Sequence, residues 1–237
     1  MAALERESAA LRAPILGAMT RVLDAGRFIL GPEVAAFEEE VGATLGGVHA
    51  VGCASGTDAL VLALRAAGIG PGDEVIVPAF SFAATAEAVA LVGAAPVFAD
   101  IEPDTFTLDA ASAAGLVGAR TRAIIPVHLY GQCARMEPLR ALAARHELTI
   151  IEDAAQAIGA HAEGRPAGAL GQVAAFSFFP TKNLGAPGDG GMVTTTDARL
   201  AERVRRLRVH GSSGRGAYEI IGTNSRLDEL HAAVLRV

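Results

Sequence analysis

The chain has no tryptophan, two tyrosines, two cysteines and one lysine among its 237 residues. Each shortage excludes something. Cys53 and Cys133 form no CxxC pair and no metal-ligand spacing, so a disulfide framework is excluded. Both read as buried thiols of a reducing cytoplasm. The six histidines form no HExxH or similar ligand pair, and no metal is expected. The longest apolar stretch, residues 88–99, is too short for a membrane span and is broken by Gly93 and Pro96. Glu5 and Glu7 precede any apolar run, so the N-terminal segment does not read as a signal peptide. The net charge of -6 argues against general nucleic-acid binding. The arginine-rich run over residues 202–210 has helical spacing and reads as a solvated helix face.

The single lysine raises a sharper question. Lysine and arginine together number 20, so the other nineteen basic residues are arginines. Arginine serves surface charge and phosphate contacts as well as lysine, but stays protonated and cannot act as a nucleophilic amine. Lysine can lose its proton and bond a carbonyl carbon. Lys182 is therefore either a covalent residue or the accidental survivor of a compositional bias. Its surroundings decide between the two.

With 51% hydrophobic and 19% charged residues, the chain can fill a large core as one domain or a small pair. From about Val48 onward, short apolar runs alternate with segments of helical period. VHAVGC, EVIVP, PVFAD, RAIIPVHL, LTIIED and VAAFSF read as strands. TDALVLALRAAG, SFAATAEAVALVG, LDAASAAGLV and RMEPLRALAARHE read as helices. The strand-like runs are apolar on both faces, as parallel strands covered by helices are. The expected fold is α/β, a mostly parallel sheet between helix layers, preceded by a helical segment over about residues 1–45. In such sheets ligands bind beyond the C-terminal strand ends, so residues just after each strand carry the functional signal.

After VHAVGC stand Ser55, Gly56, Thr57 and Asp58, then a helix. A helix N-terminus with a small-residue approach suits a phosphate, and equally suits an ordinary N-cap. Phe80 and Phe82 follow EVIVP in a chain with only 5% aromatics. Either could stack on a planar ligand or pack in the core. Asp153 ends LTIIED, with Gln156 one helical turn on. Asp153 could pair with a protonated ring nitrogen or cap that turn. Ser177 stands near the end of VAAFSF, and Lys182 follows in a stretch with Gly185, Gly188, Gly190 and Gly191. A phosphate cradle, a stacking ring, an acid and an amine are together what pyridoxal 5'-phosphate requires.

At this point ASGTDAL, DEVIVPAFSFAATAEAV, PVHLYGQCA, IEDAAQAIGA, FSFFPTKNLGAPGDGG and GTNSRLDEL, in that order, resemble the DegT/DnrJ/StrS-type sugar aminotransferases of fold type I. The resemblance covers the chain from about Leu30 onward. It implies that Lys182 forms a Schiff base with pyridoxal phosphate and then acts as acid–base, and that Asp153 faces the pyridine nitrogen. It implies Gln156 over the ring hydroxyl, Gly56, Thr57 and Ser177 as phosphate contacts, and Phe82 as the stacking ring. It also implies that Asn224 reaches the phosphate in a neighbouring subunit's site, so that a homodimer shares its active sites. The implied reaction is amination of a nucleotide-linked keto sugar, with L-glutamate as donor, in the cytoplasm. A sugar dehydratase, which in this family carries histidine at the lysine position, is disfavoured by Lys182. An inactive or binding-only truncated member is a second alternative, and another fold-type-I enzyme, such as a lyase or desulfurase, a third; neither cysteine sits in a reactive-looking motif, which disfavours a desulfurase. Two residues depart from the pattern: Thr223 where an aromatic is common, and His231 where glutamine is common. Relatives continue into a smaller C-terminal domain. The expectation is that this domain is absent or truncated, leaving an apolar face of Leu227, Leu230 and Val234 uncovered.

Overall fold

The computed structural model describes residues 4–214 and 216–237. Residues 1–3 of the expected N-terminal helical segment, and Arg215, lie outside the described residues. Helices α1 (Leu4–Ala25) and α2 (Pro32–Thr44) come first. There follow β1 (His49–Cys53), α3 (Gly56–Ala66), β2 (Glu74–Pro78), α4 (Ala84–Leu91), β3 (Ala95–Ala99), α5 (Ala110–Gly115), β4 (Thr121–Ile124), α6 (Met136–His146) and β5 (Thr149–Asp153). A short hairpin, β6 (His161–Ala162) and β7 (Arg165–Pro166), precedes β8 (Val173–Ser177), β9 (Gly191–Thr195), α7 (Ala198–Leu207) and α8 (Glu229–Leu235).

Seven strands form one sheet in the order β1-β9-β8-β5-β4-β2-β3. The pairs β2/β3, β2/β4, β4/β5 and β5/β8 are parallel. Only β9 runs against its neighbours, β1 and β8. The sequence reading did not find β9, because it follows directly on a glycine-rich stretch that carries no periodicity of its own. Side chains on successive strand residues leave by opposite faces. Val75 and Val77 accordingly enter one core layer, with α3, α4 and α7. Ile76 between them enters the opposite layer, with α5 and α6. The strands β1, β8 and β9 are covered on that second side by α2 and α8. The result is the expected three-layer α/β/α arrangement.

Local chemistry sets the helix ends that matter for the site. Ser55 caps α3 by accepting the Asp58 amide at 3.1 Å. The helix stops at Gly68, which takes the left-handed φ of +82°. Helix α2 begins differently. Gly31 at its N-cap offers no side chain. The buried Glu229 carboxylate of α8 instead accepts the amides of Gly31 at 2.7 Å, Glu33 at 2.9 Å and Val34 at 2.9 Å. A carboxylate there also meets the positive end of the helix dipole.

Three sequence-based expectations need correction. The apolar face over Leu227, Leu230 and Val234 is covered: Leu227 and Val234 are buried, and Leu230 packs with Ala18, Val22 and Ala233 between α1 and α8. The covering helix lies some two hundred positions earlier and could not be read from the local sequence. Arg208, within the arginine-rich run, is not solvated. It is buried and donates to Glu38 at 2.5 Å and to the Gly52 carbonyl at 2.6 Å. Cys53 is fully buried as expected, but Cys133 is only half-buried. Among the described residues no helix is long and apolar enough to cross a membrane.

Candidate active site

The C-terminal ends of β1, β2, β5 and β8 open onto one cavity of about 420 Å³. Its wall includes Gly56, Thr57, Phe82, Asp153, Gln156, Ser177 and Lys182, together with Ser55, Ser81, Leu129, Phe179, Thr181 and Asp189. Seven of the eight residues anticipated for the site thus meet in one place, although the sequence separates the first from the last by more than a hundred positions. The eighth, Asn224, is exposed and does not line this cavity. Its segment is nevertheless attached to the site. Ser225 donates to Asp58 at 2.7 Å and accepts the Ala54 amide at 3.2 Å, beside the start of α3.

One end of the cavity is built from the first turn of α3. The Gly56 and Thr57 amides have no acceptor among the described residues, as the first amides of a helix must lack one within it. A methyl group on Gly56 would sit 2.6 Å from the Ser177 Cβ. Glycine is therefore what allows β8 to bring Ser177 against the helix start. A methyl on Gly191 would stand 2.2 Å from the Ser55 carbonyl oxygen, so the β9 backbone closes the same corner. Free amides, a hydroxyl and the positive end of a helix make an anion site.

The opposite end is organised around Asp153. Its carboxylate accepts the Thr85 hydroxyl at 2.7 Å and the Ala155 amide at 3.2 Å. Asp153 thus caps the following turn and still faces the cavity. Burial pushes its carboxyl above the ordinary carboxylate range. The Thr85 and Ala155 hydrogen bonds and the positive charge of Lys182 pull it back. Gln156 uses its Oε1 to accept the Tyr130 amide at 2.8 Å, which leaves its NH2 group free to donate. Phe82 is 74% exposed on the cavity wall, while Phe80 turns away and packs on Phe106. Phe82, the ring that the resemblance implies, is the one of the two that lines the cavity.

Next to Asp153 in the chain, Glu152 anchors a buried network with His128 that the sequence did not reveal. Glu152 is fully buried. It accepts the Gly168, Leu170 and Gly171 amides at 2.7–2.8 Å and meets His128 Nε2 at 2.9 Å. His128 Nδ1 accepts the Ala134 amide at 3.1 Å, so Nε2 carries the ring proton toward Glu152. His231, which departs from the family pattern, does not line the cavity. Its Nδ1 pairs with Asp228 at 2.6 Å, and its Nε2 edge lies against Gly188 in the loop after Lys182. The Asp228 carboxylate raises the His231 pKa, and Asp189 adds to that effect.

Sheet order, strand direction and the cavity at the strand ends define a transferase domain of the fold-type-I, pyridoxal-phosphate class. The chain belongs to the DegT/DnrJ/EryC1/StrS aminotransferase family, whose model matches residues 10–237. It is 56% identical over 227 residues to dTDP-3-amino-3,4,6-trideoxy-alpha-D-glucose transaminase of Streptomyces venezuelae, covering 96% of this chain and 60% of that protein. It is 53% identical over 236 residues to UDP-N-acetyl-3-dehydro-alpha-D-glucosamine 3-aminotransferase of Acidithiobacillus ferrooxidans, covering 100% of this chain and 64% of that protein. The crystal structure of S. venezuelae DesV in complex with a ketimine intermediate superposes with a TM-score of 0.96 at 55% identity, covering 98% of this chain and 63% of that one. The chain therefore spans about three-fifths of the length of the relatives it matches.

Proposed function

We propose that this chain is the cofactor-binding part of an aminotransferase that delivers an amino group, from L-glutamate, to a nucleotide-linked keto sugar. One observation carries the reading: a single cavity gathers an anion-binding helix start, an exposed aromatic ring, a buried acid and the only lysine of the chain. Relatives named for dTDP- and UDP-linked sugars support the substrate class.

The residues fit pyridoxal 5'-phosphate. When bound, that group supplies an aldehyde that takes up an amine and a ring that draws electrons from the adjacent carbon. The Gly56 and Thr57 amides and the Ser177 hydroxyl would hold its phosphate. Phe82 would lie against its ring, and the free NH2 of Gln156 would donate to the ring hydroxyl. Asp153 would keep a proton on the ring nitrogen. Lys182 would bond the aldehyde carbon and, once released, move a proton at the substrate carbon as general acid–base. A homodimer in the cytoplasm, in which Asn224 reaches the partner's phosphate site, completes the proposal.

Borohydride reduction of the protein with pyridoxal phosphate, followed by peptide mapping, tests it. The adduct is expected on the peptide that contains Lys182. An adduct confined to the N-terminal amine, or none with cofactor in excess, overturns the reading.

A further inference from the structure

Thr85 is 2% exposed in the first turn of α4, yet its side chain is polar. A threonine in a helix commonly donates to a carbonyl one turn back or faces water. Thr85 does neither. It donates its hydroxyl to Asp153 Oδ2 at 2.7 Å, across 68 residues of sequence. Valine has the same shape, so packing alone would not call for a hydroxyl here. Thr85 Oγ1 also lies 3.1 Å from the hydroxyl of Ser81, a residue of the cavity wall.

The proton count fixes the direction of this chain. A hydroxyl has one hydrogen to give. An ionised Asp153 can only accept, so Thr85 spends its hydrogen on Asp153. Ser81 must then donate to Thr85. Ser81, Thr85 and Asp153 form a relay with a single polarity, running from the cavity wall to the buried acid. An anionic Asp153 makes the Thr85 hydrogen bond charge-assisted, and protonating the carboxyl would weaken it. A hydrogen bond to a charged acceptor is stronger than a neutral one, and more so away from water.

We propose that Thr85 is a positioning residue whose hydroxyl holds the Asp153 carboxylate ionised and aimed, so that it keeps the ring nitrogen of the cofactor protonated. The proposal rests on the cofactor reading above. Burial raises the Asp153 carboxyl, and the Thr85 hydrogen bond is the largest single contact that opposes the rise.

Thr85→Val and Thr85→Ser separate the hydroxyl from the shape, and two readouts need no turnover. The first is the carboxyl 13C resonance of Asp153, titrated in the cofactor-free protein. Its midpoint should rise in the valine variant and return toward the parent in the serine variant. The second is the 15N shift of ring-labelled pyridoxal phosphate. It should report a protonated nitrogen in the parent and in Thr85→Ser, and a nitrogen moved toward neutral in Thr85→Val. The cofactor dissociation constant should rise roughly tenfold in the valine variant, from the loss of a charge-assisted hydrogen bond. If the valine chain fails to fold, Thr85→Cys, with a similar volume and a much weaker donor, carries the same measurements. A valine or cysteine variant with the parent's carboxyl midpoint and the parent's 15N shift overturns the proposal. A parent protein that binds no cofactor overturns the functional reading instead, and the carboxyl titration then still decides whether Thr85 governs Asp153.

Discussion

The two ends of the cavity are built on opposite plans. At the acid end, Asp153 is buried and held by Thr85 and Ala155. Glu152 and His128 brace the backbone behind it. At the phosphate end, the Gly56 and Thr57 amides have no acceptor among the described residues, and the loop that carries Lys182 is rich in glycine and largely exposed. The acid end is satisfied by the protein itself; the phosphate end is left for a ligand to satisfy. Unmet donors cost little where water reaches them, and they become binding energy once an anion displaces that water. A charge that must keep one protonation state needs its partners in place beforehand.

This contrast can be broken at several points. The largest effect is expected at Lys182, which belongs to the open end and has no substitute. Lys182→Arg keeps the charge but cannot bond an aldehyde. It should abolish the borohydride-stable adduct. It should also slow the half-reaction with L-glutamate by roughly 10²–10⁴-fold through lost proton transfer alone. An arginine variant that still forms the adduct would place the chemistry elsewhere.

Glu152→Gln probes the satisfied end. It removes a buried carboxylate that serves three amides and His128, and turns an NH2 group toward some of those donors. A loss of about 2–3 kcal/mol is expected in denaturant unfolding, while the folded protein still binds cofactor. Unchanged stability would show that the brace is dispensable. Ser177→Ala should behave in the reverse manner. The melting temperature should stay the same while the dissociation constant for pyridoxal phosphate rises about tenfold, the value of one hydrogen bond to a charged group. A fall in stability with no change in binding would reverse the assignment of that end.

The smallest effect concerns His231, which touches the Lys182 loop at Gly188. Its pKa is raised in the folded chain by Asp228. The stability it contributes is therefore full below the ordinary histidine value of about 6.5 and fades as pH rises through the higher folded-state value. The pair is partly exposed, so this contribution is at most about 1 kcal/mol. Melting curves across neutral pH should show the slope in the parent and a flatter profile in His231→Gln. Equal slopes in both would remove His231 from the account.

Much of this was legible in the sequence. Apolar runs closed by Gly68 and Gly93 marked the strands and helices, and the residue following each strand marked the site. Lys182 stood out by rarity, and Asp153 by its place at the end of a buried strand. What escaped was pairing at a distance. Thr85 with Asp153, Glu152 with Gly168, and Leu230 with α1 depend on which strands and helices become neighbours, and no local pattern records that order. Arg208 looked like its arginine neighbours because burial of one member of a charged run leaves no trace in spacing. Phe80 and Phe82 could not be told apart by local pattern alone; the family resemblance pointed to Phe82, and the bend after β2 gives that ring to the cavity.

Glu229 bears on how the chain is made. The carboxylate that closes the first turn of α2 sits 198 residues beyond Gly31, and α1 rests against α8, which carries it. A ribosome building this chain releases α1 and α2 long before the helix that caps α2 and packs on α1 exists. Until residue 229 emerges, the α2 amides are tied only to water, and the apolar stripe of Val34, Phe37 and Val41 lacks part of its cover. Contacts of such long span slow folding, because a long loop must close before any of them forms. The N-terminal helices thus reach their native contacts only once α8 has been made.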